Sequence, residues 1–321
     1  MGDNSIIQTA LRTIQLEAAS ISRLKDFINA DFQLALKAIA GSKGRLVVSG
    51  IGKSAIIAQK IVATFNSTGT PSVFMHAADA IHGDLGMVQQ DDIILVISKS
   101  GDSPEIKVLV PLIKNFGNIL IGMVGNMDSF LARQSEIVLN TTVEQEACPN
   151  NLAPTTSTTA QMVMGDALAV CLMELRGFGS TDFAKFHPGG ALGKRLFLRV
   201  VELASQNEKP AVKAGAGIRE VIVEMTKKRL GVTAVINNDN QVEGIITDGD
   251  LRRMLEKENS IEFLEAKDIM SKNPFTVEED VLAADALEVM KARGISQLIV
   301  VANNSYKGVI HIHDIIKEGI I

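Results

Sequence analysis

Short apolar runs alternate with amphipathic stretches through the first two-thirds of the chain. The runs are LVVSG (46–50), SVFM (72–75), IILVIS (93–98), ILIGMVG (119–125) and EIVLNT (136–141). They are rich in Val and Ile and apolar throughout, as strands covered on both faces must be. Helical segments separate them, most clearly 53–66 and 104–116. This alternation predicts an α/β fold, a five-stranded parallel sheet flanked by helices. Upstream, residues 5–40 read as one or two helices. There Ile7, Leu11, Ile14, Ala18 and Ile21 recur at three- and four-residue spacing. The resulting apolar stripe is expected to pack on the domain or on another subunit. A long helix, about 157–176, stops at Arg176-Gly177.

The pattern changes near residue 200, where the first domain (1–200) is expected to end. The polar stretch SQNEKPAVKAGAG (205–217) reads as a connection or an eroded strand. Beyond it lies an internal repeat, 225–255 matching 290–320. Gly231-Val232 corresponds to Gly294-Ile295, Gly244-Ile245-Ile246 to Gly308-Val309-Ile310, and Asp250 to Asp314. Each copy predicts helix, strand, tight turn, strand, helix. The second domain is therefore a tandem α/β module over 201–321, in halves of approximately 201–260 and 265–321.

Composition narrows the function. At 321 residues and 46% hydrophobic, the chain can bury two modest cores. A net charge of −5 argues against a nucleic-acid partner, which would require a clustered basic surface. Cys148 and Cys171 are too few for a disulfide framework or a cysteine-built zinc site. With no signal-like start and no apolar run of spanning length, a cytoplasmic location and no membrane partner are expected.

In parallel α/β sheets, ligands gather beyond the C-terminal strand ends. Here SKSGDSPE (98–105) leaves a strand, offers the hydroxyls of Ser98, Ser100 and Ser103, and opens a helix at Pro104. Proline at the first helical turn leaves free N–H groups and the helix dipole facing that loop, an arrangement suited to a phosphate monoester. An ordinary N-cap would need Ser103 alone. SGIGKSA (49–55) is not a Walker A loop, because Val47 stands where the first glycine belongs. Nor is it a dinucleotide fingerprint, since the strand within SVFMHAAD ends on Met75-His76, without the acidic residue expected there for a ribose. What remains is a glycine turn presenting Lys53 and Ser54. Glu105 in the first helical turn, Glu146 after the last strand, His82 before Gly83 and His187 before Pro188 are further polar candidates. Dipole stabilisation, solvation, helix capping and loop restraint are their respective structural explanations. His76 and His82 are too isolated for a metal site. His311 and His313 would alternate on a strand without further ligands. No metal and no cofactor are expected.

Taken together, SKSGDSPE, GIGKS, HGDLGM, EACPNNLAPTTSTTA and FHPGGALGKRL resemble the sugar isomerase (SIS) domain. Within it, EACP…APTTSTT and FHPGG resemble the D-arabinose 5-phosphate isomerases most closely. The repeat resembles a pair of cystathionine-β-synthase (CBS) domains. Together the resemblances cover nearly the whole chain. They imply interconversion of D-ribulose 5-phosphate and D-arabinose 5-phosphate, feeding synthesis of the lipopolysaccharide sugar Kdo. The family's active-site positions fall on Lys53, Glu105, Glu146 and His187, with His82 at a further site position. Family members are homotetramers whose sites draw on more than one subunit. In the CBS pattern, Thr247 and Asp250 of IITDGD would contact a nucleotide ribose. His311 replaces the hydroxyl residue in the second copy, so at most one nucleotide or end-product site is implied. A structural or oligomer-forming role is the alternative.

An enediol route requires a base near carbon, an acid at the carbonyl and stabilisation of the developing oxyanion. The expected roles are Glu146 as carbon base, Glu105 for proton transfer between oxygens or sugar orientation, Lys53 at the enediolate oxygen and His187 for ring opening or proton shuttling. Ser98, Ser100 and Ser103, with Ser54, would hold the phosphate. An isomerase for another phosphosugar and a non-catalytic phosphosugar-responsive regulator are the competing readings.

Overall fold

A computed structural model describes residues 3–258 and 260–320. The chain divides into two compact units, one ending at Phe186 and one beginning at His187.

The first unit opens with α1 (Asp3–Leu24) and α2 (Ala30–Gly41). The Asn29 side chain accepts from the Asp31 and Phe32 amides and so starts α2. Then follow β1 (Leu46–Gly50), α3 (Lys53–Ser67), β2 (Ser72–His76), α4 (Ala77–Ala80), β3 (Ile93–Ser98), α5 (Pro104–Phe116), β4 (Leu120–Val124), α6 (Phe130–Gln134), β5 (Ile137–Asn140), α7 (Thr156–Arg176) and α8 (Ser180–Phe186). The five strands form one sheet in the order β2-β1-β3-β4-β5, and every pairing is parallel. The expected parallel α/β fold is the one observed, and these elements fall close to the segments the apolar pattern marked.

Side-chain alternation gives the sheet two cores. Leu46, Val48, Leu95 and Ile97 face α2, α3 and α7, while Val47, Ile94 and Val96 face α5 and α6. Because the chain turns from β1 to β2 on one side and continues with β3 on the other, its direction across the sheet reverses between β1 and β3. Their helices, α3 and α5, cover opposite faces and leave a crevice beyond the C-terminal ends of these two strands.

In α1, the predicted apolar stripe is largely uncovered. Its Ile7, Leu11 and Ile14 are 47–65% exposed in the single chain, as is the neighbouring Ile6. No helix of the described residues is long and apolar enough to cross a membrane.

The second unit begins with the HPGG turn, α9 (Ala191–Phe197) and α10 (Val200–Ala204). Its first repeat contains β6 (Ala211–Lys213), α11 (Ile218–Lys228), β7 (Val232–Ile236), β8 (Val242–Thr247), α12 (Asp248–Lys257), α13 (Ala266–Ile269) and β9 (Ser271–Lys272). The second contains β10 (Thr276–Glu278), α14 (Ala283–Arg293), β11 (Gln297–Ala302), β12 (Ser305–His311) and α15 (Ile312–Lys317). The symmetry extends to an irregularity: β7–β8 and β11–β12 each break register once, at Val235/Ile236 and Val300/Val301. Val232, Ala234, Ile299, Val301, Tyr306 and Val309 form a core shared by the two sheets. The Tyr306 hydroxyl donates to the Pro210 carbonyl at 2.8 Å, and its amide donates to Asn240, tying one repeat to the other.

The compact units part at 186/187, and within the second Val200, Leu203 and Ala204 lie in one core with Leu287, Met290 and Ile310. One detail differs from the sequence expectation. His313 is not on a strand with His311. His311 ends β12 and caps α15, its Nδ1 accepting from the His313 amide at 3.1 Å. It does there what the Thr247 hydroxyl does for α12.

Candidate active site

The serine loop is built around Gly101. Its φ is +68°, and a Cβ there would stand 2.5 Å from the Cβ of Ser129, so both conformation and space require glycine. The loop then separates the three hydroxyls. Ser98 is buried, and its Oγ accepts from the Gly101 amide at 3.0 Å, so this side chain shapes the turn. Ser100 Oγ accepts from the Asp102 amide at 3.4 Å. Ser103 is the N-cap of α5 but its side chain makes no cap bond, and its buried Oγ has no partner among the described residues. The α5 amides and an unpartnered hydroxyl thus meet at the crevice, with Pro104 at the first helical position. Ser98 and Ser100 accept from backbone amides and keep their hydroxyl protons to donate, while the Ser103 hydroxyl has neither donor nor acceptor among the described residues. Ser103→Ala is expected to raise KM for a phosphosugar about tenfold or more, the loss of one hydrogen bond to a charged group, while thermal stability barely moves. Steady-state kinetics and a melting curve check both.

Across the crevice, Gly52 has a φ of +59° and turns the chain from β1 into α3. Lys53 follows with its side chain exposed and without a hydrogen bond or ion pair among the described residues. Ser54 Oγ donates to Gln161 Oε1 at 3.2 Å, which joins the start of α3 to the start of α7. Glu105, in the first turn of α5, is half-buried, and its carboxylate has no partner among the described residues. Its lone pairs are therefore open to a proton.

Glu146 is different. It is 2% exposed, and both oxygens are occupied. Oε1 lies 2.6 Å from Lys99 Nζ and accepts from Ser157 Oγ at 2.5 Å. Oε2 accepts from the amides of Thr155 and Ser157 at 2.8 and 3.1 Å and from Thr155 Oγ1 at 3.2 Å. The carboxylate thereby caps α7, whose own N-cap residue makes no side-chain cap bond. Burial opposes ionisation, but Lys99, Ser157 and the Thr155 and Ser157 amides outweigh it and hold the pKa down at about 2. A saturated, weakly basic carboxylate is poorly suited to taking a proton from carbon.

This chain matches the SIS domain family over residues 38–171 and the CBS domain family over 202–257 and 266–320. It is 45% identical to the arabinose 5-phosphate isomerase KdsD of Pseudomonas aeruginosa, over 98% of this chain and 97% of that one. The enzyme of the same name from Escherichia coli K12 is 42% identical, over 98% and 96%. The chain belongs to the arabinose 5-phosphate isomerase family. A solved E. coli CFT073 protein in complex with arabinose 5-phosphate superposes with a TM-score of 0.57 at 39% identity, covering 59% of this chain and all of that one.

For an arabinose 5-phosphate isomerase family member, the remaining expected positions sort as follows. His82 is exposed, just past the C-cap of α4, and its amide donates to the Asp79 carbonyl at 2.9 Å. His187 is half-buried and begins the second unit, with its carbonyl accepting from Gly190 at 3.1 Å. Thr247 and Asp250 serve α12: Asp250 Oδ2 accepts from the Thr247 amide and hydroxyl at 2.8 and 2.6 Å. Oδ1 accepts from Arg253 at 2.5 Å and Ser271 Oγ at 3.1 Å. A ribose hydroxyl would have to displace one of these donors. Among the described residues, no group of three or more His, Cys, Asp or Glu side chains could hold a metal ion. Sequence reasoning missed Lys99, Thr155, Ser157 and Gln161. Lys99 was in view, between two serines of the strongest motif. Its partner lies 47 positions away, beyond two further strands, and no local pattern announces that pairing.

Proposed function

We propose that the chain interconverts D-ribulose 5-phosphate and D-arabinose 5-phosphate through a cis-enediol, supplying the Kdo branch of lipopolysaccharide synthesis. The observation that carries this reading is the crevice between β1 and β3. An unpartnered Ser103 hydroxyl at the α5 terminus lies in the loop beyond β3, and the glycine turn of Lys53 follows β1. The relatives matching this chain end to end bear that activity in their names.

In this mechanism the phosphate rests on Ser103 and the α5 amides, with Ser54 and Ser100 nearby in the same loops. Binding at the phosphate positions the reacting carbons. Glu105 removes the proton from C1 or C2 and returns it to the neighbouring carbon. The Lys53 ammonium stabilises the enediolate oxygen. His187 opens the sugar ring or shuttles a proton between oxygens, a task suited to imidazole. His82 contacts the sugar. Glu146 holds Lys99 and the start of α7 in place. The proton transfers use these side chains alone.

The protein is read as a cytoplasmic homotetramer. Supporting assembly, the exposed stripe Ile6, Ile7, Leu11 and Ile14 of α1 is one that association would cover. Light scattering is expected to give four chains per particle; a monomer would remove the assembly. In the CBS pair, Thr247 and Asp250 are the nucleotide or end-product position. Calorimetric titration with adenine and cytidine nucleotides is expected to show at most one site per chain, and absence of heat with any of them would leave the pair structural.

The direct test is NMR of EDTA-treated protein with arabinose 5-phosphate in deuterated water. Ribulose 5-phosphate should appear with deuterium at the exchanged carbon. No conversion by folded protein would defeat the assignment. Conversion of a different phosphosugar alone would move it within the isomerases.

A further inference from the structure

We infer that the second CBS repeat positions His187, with the Lys194–Glu318 ion pair as the joint between them. The inference rests on the isomerase reading, in which His187 takes part in chemistry.

The His187 turn is built onto α9. Gly190 donates to the His187 carbonyl at 3.1 Å, and Lys194 donates to the Gly190 carbonyl at 2.9 Å. A Cβ at Gly193 would lie 2.2 Å from the His187 carbonyl oxygen and 2.6 Å from Pro188 Cα, so the turn lies directly on this face of the helix. Any displacement of α9 therefore carries the His187 backbone with it.

In turn, α9 belongs to the second repeat. Its Lys194 Nζ lies 2.7 Å from Glu318 Oε2, just after α15. Directly after α9, the Leu198 carbonyl accepts from the Ala283 amide at 2.8 Å and Val200 donates to Val281 at 2.9 Å, at the start of α14. Arg195 and Leu196 of α9 line a cavity of about 200 Å³ with Leu282, Asp285, Leu287 and Ile320. The ion pair adds a side-chain tie between α9 and the end of α15 to the backbone bonds that follow the helix. The two side chains are 33% and 26% exposed, shielded enough for the pair to hold a geometry that a fully solvated pair would not. Lys194 and Glu318 are positioning residues, acting through α9 on the His187 turn. A change in the second repeat that moves α15 would move His187 as well.

The test is a mutant cycle in the full-length protein. Lys194→Glu and Glu318→Lys should each lower kcat about five- to tenfold while KM stays within about twofold. The charge-swapped double variant should return kcat to within about twofold of the unaltered chain. In a His187→Ala background, Lys194→Glu should change kcat by less than about twofold, because the residue it positions is gone. Where charge reversal unfolds the chain, Lys194→Met and Glu318→Gln give the same cycle. Unchanged kcat in the single variants, a swap as slow as the singles, or an equal loss in the His187→Ala background each overturns the proposal. An unaltered chain without turnover would defeat the isomerase reading and this proposal with it. A working enzyme indifferent to the pair defeats this proposal alone.

Discussion

Glu105→Gln is expected to lower kcat by about a thousandfold, within the range general acid–base groups contribute, with KM within about threefold. The reason is geometric. Glu105 is half-buried beside the phosphate loop, and no donor among the described residues occupies its oxygens. As a side chain in the first turn of α5, it stabilises the helix by less than about 1 kcal/mol, so the melting temperature should hardly change. Loss of proton exchange at the substrate carbon should parallel the loss of turnover, since one group performs both. A Glu105→Gln enzyme that still washes deuterium into substrate would return the base role to another residue.

Glu146→Ala should instead damage the structure first. It removes the acceptor for Lys99, the Ser157 and Thr155 hydroxyls and the Thr155 and Ser157 amides. Breaking a buried pair typically costs about 3 kcal/mol or more, and Lys99, 43% exposed, can recover some hydration. A loss of about 2–3 kcal/mol follows, or roughly 5–10 °C in the melting of a unit this size. Gln is little better, because its amide group would face donors on every side. The same contacts set a pH dependence. The folded carboxylate titrates near 2, below its ordinary value of 4.5. Its stabilisation is complete above the ordinary value and is lost as pH falls from about 4.5 through about 2. Melting curves across that window should show the unaltered protein converging on Glu146→Gln, which has no such group. Parallel curves would mean the carboxylate is not held ionised by its surroundings.

These two glutamates illustrate what could be read without a structure. Sequence pattern located both at the ligand edge of the sheet, because strand ends in a parallel α/β fold are dictated by apolar runs and the turns that close them. It could not rank them. Glu105 stands in the first turn of a helix and looks like a dipole partner; Glu146 follows the last strand and looks solvated. Their environments differ because one oxygen of Glu146 meets a lysine from a loop two strands away, while Glu105 meets no donor among the described residues. Ser98, Ser100 and Ser103 were likewise equal in sequence. Only the turn about Gly101 engages Ser98 inward and leaves the Ser103 hydroxyl without a partner among the described residues.

By itself, the sequence determined the parallel sheet, the ligand edge beyond its C-terminal strand ends, the repeat behind it and the residue types that chemistry there would use. Hydrophobic period, glycine turns and capping residues are local properties that the chain expresses in one dimension. Tertiary structure decided which carboxylate is held by donors and which has none among the described residues, which serine hydroxyl has no partner among them, and that residues 187–204 lie in the compact unit of the repeat. Each of those outcomes depends on a partner distant in the chain, and burial makes the partner, more than the residue type, set the chemistry.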